Sequence, residues 1–151
     1  MMLSGPKDLG YYFEDLCVGM GADLLKTVMS NDVIGFAQIS GDTNPVHLSD
    51  HFAAKTPFRS RIAHGLYTAS LISAVLGTRL PGPGAVYITQ SLNFRAPVHI
   101  GDVVRAHVEV ADLNAEKSRA TLACTCFVDE KTVLDGEAVV LVPKREERAR
   151  T

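Results

Sequence analysis

The stretch HGLYTASLISAVLGTRL, residues 64 to 80, is apolar on nearly every side and runs straight into Pro-Gly-Pro-Gly at 81 to 84. A helix with one polar face can lie on a surface, but one that is hydrophobic all round has to be buried. It also has to stop at residue 80, because proline lacks the backbone N–H that a helical ladder needs. At 1.5 Å per residue such a helix is roughly 25 Å long, enough to cross a small domain. Everything else in the chain must therefore wrap around it. Its small residues, among them Ala69, Ser70, Ser73 and Ala74, let other backbone approach closely.

Beyond Gly84 the chain has the opposite texture. AVYITQSLNFRAPV, DVVRAHVEVADL, RATLACTCFVDE and TVLDGEAVVLVP alternate and are rich in β-branched residues, which predicts four strands in series. Gly101-Asp102 suits a loop before the second, while LNAEKS and DEK suit hairpin connections to the third and fourth. Short connections make neighbours antiparallel. With earlier strand material between Tyr11 and Met29, the expected architecture is α+β, an antiparallel sheet curved around one hydrophobic helix. At 151 residues one domain is the simplest organisation, spanning 1–143. KREERART, residues 144 to 151, mixes both signs and reads as a charged, solvated tail.

Before the long helix, Val33, Ile34, Phe36, Ala37 and Ile39 follow helical spacing, so a short helix is expected from Ser30 to Ser40, with Ser30 or Asn31 as its cap. Gly41 ends it by accepting a left-handed turn. Pro45 then biases Asn44 away from helical geometry, and DTNPVH becomes a turn. On a continuous helix Asp42 and His47 would point about 140° apart. A turn can bring them together.

The run AQISGDTNPVHLSDHFAAKTPFRSRIAHGL resembles the hydratase-2 motif of MaoC-like (R)-specific enoyl-CoA hydratases, a Gly-Asp-x-Asn-Pro-x-His element followed by Ile-x-His-Gly. The likeness continues through ISAVLGTRLPGPGAVYITQSLNFRAPVHIGDVV, similar to the short single-domain members linked to polyhydroxyalkanoate precursor supply, and covers roughly residues 30 to 143. The resemblance implies a hot-dog fold, a homodimer with one continuous sheet, and reversible syn addition of water to trans-2-enoyl-CoA giving (R)-3-hydroxyacyl-CoA. It also places Ser73 near the active site. One departure is local: FRSRI carries Arg59 and Arg61 where many members have an acidic or apolar residue with proline. Two cations there face either the phosphates of coenzyme A or solvent.

Adding water to an enoyl thioester requires a group that takes the water's proton, a proton source for the α carbon, and donors for the developing enolate. Asp42 and His47 can hold one water between them, with the division of proton transfers left open by the residues alone. Gly65, at the start of the buried helix, offers an unpaired N–H and no side chain to block a thioester oxygen. From Gly65, helical spacing puts Ala69, Ile72 or Ser73, and Leu76 on successive turns, where an acyl chain would meet them and Leu76 would limit its length. Asn44 and Pro45 brace the turn, and His64 serves helix entry.

Two other classes compete with the hydratase. A hot-dog thioesterase would direct water at the carbonyl from a carboxylate on or near the central helix, and a non-catalytic acyl-CoA-binding or structural subunit could keep the fold without turnover. No His pair has metal-site spacing, and water addition involves no redox change, so no metal and no cofactor are expected. A net charge of −2 gives no bias toward nucleic acid, and no stretch of about 18 apolar residues offers a membrane span. Cys17, Cys124 and Cys126 read as reduced residues of a cytoplasmic protein.

Overall fold

The computed structural model of the chain describes residues 10–146. Six strands form one antiparallel sheet: β1 Gly21–Thr27, β2 Val86–Gln90, β3 Asn93–Phe94, β4 Val103–Asn114, β5 Arg119–Val128 and β6 Lys131–Leu141, in the order β1-β4-β5-β6-β2, with β3 also on β6. Among the described residues the helices that frame the sheet are α1 Ser30–Ser40, α2 Pro45–Leu48, α3 Asp50–Ala54 and α4 Gly65–Thr78, with a single 3-10 turn at Phe13–Asp15 ahead of β1. Among the described residues no helix is long and apolar enough to cross a membrane.

The alternation in β4, β5 and β6 decides which face meets α4. Val104, Ala106, Val108 and Val110 of β4, Ala120, Leu122, Cys124 and Cys126 of β5, and Ala138 and Val140 of β6 are all buried in one cluster. From the other side α4 contributes Tyr67, Leu71, Ile72, Val75 and Leu76 to the same cluster. Each fully buried Val, Leu or Ile contributes about 1.5–3 kcal/mol by leaving water, so this sheet-on-helix layer is the main source of stability. It is the hot-dog arrangement.

The expected first strand after Gly84 is two short ones. Both run along the same edge of β6, and between them the backbone closes on it so tightly that a Cβ on Gly136 would lie 1.9 Å from the Ser91 carbonyl oxygen. Only glycine permits that approach, and the Ser91 N–H bonds the Glu137 carbonyl at 2.9 Å beside it. Although β2 precedes β4 in sequence, it pairs with β6, with Val86 opposite Leu141.

The helix expected over Ser30–Ser40 forms with those bounds, but neither Ser30 nor Asn31 caps it. Met29 is the N-cap residue, and its N–H donates to the Asp32 carboxylate at 2.9 Å. Cys124 and Cys126 are buried and free, Cys17 exposed and free; burial pushes the Cys124 thiol up to about 11 and the Cys126 thiol up to about 12. The expected tail is not wholly solvated at its start: the Arg145 side chain pairs with Asp15 and lies over the Tyr12 ring at 4.6 Å. Residues 147–151 of that tail lie outside the described residues.

Candidate active site

The turn that carries the acid/base candidates is built by local hydrogen bonds. Gly41 takes the left-handed conformation at φ 80° and ends α1, so the chain reverses. The Asp42 N–H then donates to Ser40 Oγ at 3.1 Å, and the Asn44 N–H donates to Asp42 Oδ1 at 3.2 Å. Asn44 braces the turn in a specific way: its side-chain oxygen accepts from the Val46 N–H at 3.2 Å, capping α2, while Pro45 fills the first helical position. The expected turn thus runs directly into a one-turn helix, which carries His47 inward.

His47 is 8% exposed, whereas Asp42 stays at the surface. Its Nδ1 lies 2.8 Å from the Ile62 carbonyl oxygen. A carbonyl only accepts, so Nδ1 carries the proton and Nε2 keeps a free lone pair. Desolvation, with a smaller contribution from His64, lowers the His47 pKa below its ordinary 6.5, against the opposing Ile62 bond and Asp42 charge. The ring is therefore neutral, and basic at Nε2, near pH 7.

His64 sits closer to the chemistry than helix entry alone requires. It is 2% exposed, its ring stacks on His47 with centroids 3.8 Å apart, and its Nε2–H donates to the Asp42 carbonyl at 2.9 Å. Its Nδ1 is buried without a hydrogen-bond partner. Nitrogen or oxygen atoms of Asp42, His47 and His64 all lie within 4.8 Å of one another. Each ring already commits one nitrogen to a backbone carbonyl, and the remaining lone pairs lie in planes only 29° apart. That geometry suits proton transfer better than the convergent donors a cation requires.

Gly65 is the first residue of α4, directly after His64, so its N–H has no intrahelical acceptor. An apolar cavity of about 530 Å³ opens against it, lined among others by Phe58, Thr68, Phe94 and Val98. Of the α4 residues expected along the acyl chain, Leu76 is 2% exposed in the core, Ala69 is half-buried and packs against it, and Ser73 lies on the exposed face. The cavity takes its helical lining from Gly65 and Thr68, three residues apart, instead of from these. Phe94 is a wall that periodicity did not single out, because only the pairing of β3 with β6 brings its ring to Gly65.

Of the two cations in FRSRI, Arg59 is exposed and Arg61 is turned inward. Arg61 Nε donates to the His47 carbonyl at 2.6 Å and one of its terminal nitrogens to Ser30 Oγ at 3.2 Å. The backbone beside it is pinned to the sheet side of the fold, the Ala63 N–H donating to the Val98 carbonyl at 2.7 Å.

A sheet wrapped on a buried helix, with an Asp–His pair beside that helix's first N–H, defines a hot-dog protein with a hydratase-type site. The chain matches the model described as MaoC like domain over residues 20–131, and it belongs to that family. It is 70% identical over 136 residues to the 3-hydroxybutyryl-CoA dehydratase of Methylorubrum extorquens, covering 90% of this chain and 87% of that one. Identity to the (R)-specific enoyl-CoA hydratase of Rhodospirillum rubrum is 53% over 135 residues, covering 89% and 94%. In three dimensions the chain is similar to the unliganded R-hydratase PhaJ1 from Pseudomonas aeruginosa, with a TM-score of 0.87 at 40% identity over 90% of this chain and 88% of that one.

Proposed function

We propose that this protein adds water reversibly to the double bond of a trans-2-enoyl-CoA, giving the (R)-3-hydroxyacyl-CoA, and runs as a dehydratase in the other direction. The carrying observation is the 2.8 Å contact of His47 Nδ1 with the Ile62 carbonyl, which leaves Nε2 as the basic nitrogen of a ring with a nitrogen within 4.8 Å of the Asp42 carboxylate. Water held between the two gives its proton to His47 Nε2 while its oxygen bonds the β carbon. The double-bond electrons move to the thioester oxygen, which the Gly65 N–H stabilises. The enolate collapses as the α carbon takes up a proton from the same pair. Because both partners of the water act from one side, hydrogen and hydroxyl arrive on the same face. No electrons leave the substrate, so the proposal includes no cofactor.

The relative named 3-hydroxybutyryl-CoA dehydratase supports a four-carbon acyl group as the first substrate to try. An acyl chain starting at Gly65 would enter the apolar cavity that Thr68 and Phe94 line beside it. Three free cysteines, two of them buried, support a reducing, cytoplasmic setting. A homodimer is supported by β2, an end strand of the sheet with Val86, Tyr87 and Ile88 all exposed.

The test is crotonyl-CoA turnover, read as loss of the conjugated enoyl-thioester absorbance beside a free-thiol assay, in wild type and Asp42→Asn. Absorbance loss without thiol release, reduced about 10²- to 10⁴-fold in Asp42→Asn, is the expected result. Thiol release would make the protein a thioesterase. Tight binding with neither signal would make it a non-catalytic acyl-CoA binder.

A further inference from the structure

His47 is held from two directions by consecutive residues. The Ile62 carbonyl fixes its ring at 2.8 Å, and the Arg61 side chain fixes its backbone carbonyl at 2.6 Å. That carbonyl, at the end of a one-turn helix, has no intrahelical partner, and Arg61 supplies the donor in its place. The same guanidinium also reaches Ser30 Oγ at 3.2 Å, and Ser30 is the first residue of α1, the helix whose far end sets Asp42. One planar group therefore ties the element that ends at Asp42 to the turn that presents His47. Both contacts use the fixed fork of a guanidinium, which an ammonium cannot reproduce.

We propose that Arg61 is a positioning residue: its guanidinium is the strut that holds His47 at its working distance from Asp42. This rests on the hydratase reading above. It differs from a phosphate contact, because both donors point into the protein, at the His47 carbonyl and the Ser30 hydroxyl.

Wild-type crotonyl-CoA turnover tests the hydratase reading itself, and the variants are measured only against that rate. Arg61→Ala is expected to lower kcat about 10²-fold, the usual cost of a misplacement near 1 Å, with KM changed less than about threefold. Added guanidinium ion, at concentrations too low to unfold the protein, should restore part of kcat in Arg61→Ala and none in His47→Ala. Arg61→Lys keeps the charge and should recover little. Ser30→Ala cuts only the α1 end and should lower kcat severalfold, which keeps the strut testable even where Arg61→Ala does not fold. A rise in KM with kcat intact would make Arg61 a substrate phosphate contact, and wild-type kcat in Arg61→Lys or Ser30→Ala would equally overturn the proposal.

Discussion

At the scale of single residues, the site depends on which form of His47 is present. Burial lowers its pKa below 6.5, so kcat/KM should rise with pH along an acid limb centred below 6.5. Asp42 contributes in the opposite direction, its charge favouring the protonated ring, so the residual activity of Asp42→Asn should show that limb at still lower pH. Stability carries the same sign. The unfolded chain takes up this proton near 6.5 and the folded chain only at lower pH, so the contribution of neutral His47 is complete above 6.5 and lost progressively below it. A pH series of denaturant midpoints checks this, and a limb above 6.5 would contradict it. Gly65 offers a separate test. A Cβ there would lie 2.6 Å from the Phe94 ring, but that residue is 55% exposed and can swing away. Gly65→Ala keeps the N–H but sets a methyl beside it, so the variant should fold with little loss of stability while kcat falls as the thioester oxygen is held off that donor, by up to the roughly 10²- to 10³-fold that a lost oxyanion donor costs.

At the scale of elements, α1, α4 and the four late strand runs were legible because each follows from a local pattern: helical spacing, an all-round apolar stretch ended by Pro-Gly-Pro-Gly, and strict alternation. The pairing of Asp42 with His47 was legible too, since Gly41 and Pro45 force the reversal that joins them. The rest depends on partners distant in sequence. Arg61 reads as a free cation until the fold brings Ser30 and the His47 carbonyl to it, and His64 reads as a helix cap until its ring lands on His47. The two-strand break at Ser91 depends on Gly136, 45 residues later, which no local pattern around Ser91 announces. Leu76 is where element and site meet, at 2% exposure inside the α4 core. Leu76→Ala should cost about 2–5 kcal/mol, read from chemical denaturation, as truncation of a core leucine does. If the acyl chain also reaches it, the space opened should shift turnover from four-carbon toward longer enoyl-CoA substrates; lost stability with unchanged preference would leave Leu76 a core residue alone.

At the scale of the whole molecule, the unsatisfied surface has a definite location. The sheet ends at β2, whose outer edge pairs with no strand among the described residues. Val86, Tyr87 and Ile88 on it are 54%, 41% and 40% exposed. An apolar strand edge left open invites pairing with another chain, and natural proteins usually blunt it with charge, proline or a bulge. VYITQ carries no charge and no proline, and although its pairing shifts between Tyr87 and Thr89, its apolar residues stay exposed. The exposed stripe of α4, with Ser70, Ser73 and Gly77, is built of small residues that let another backbone close in. A second copy laying its own β2 antiparallel against this one would continue the sheet across both chains. The proposed dimer predicts that the wild type sediments as two chains at micromolar concentration in analytical ultracentrifugation and that Ile88→Lys, which puts a charge on that edge, sediments as one; a wild-type monomer would overturn it. If the catalytic turn needs the partner for support, turnover of crotonyl-CoA should fall with the dimer fraction; a monomer of unchanged kcat would show that Asp42, His47 and Gly65 suffice within one chain.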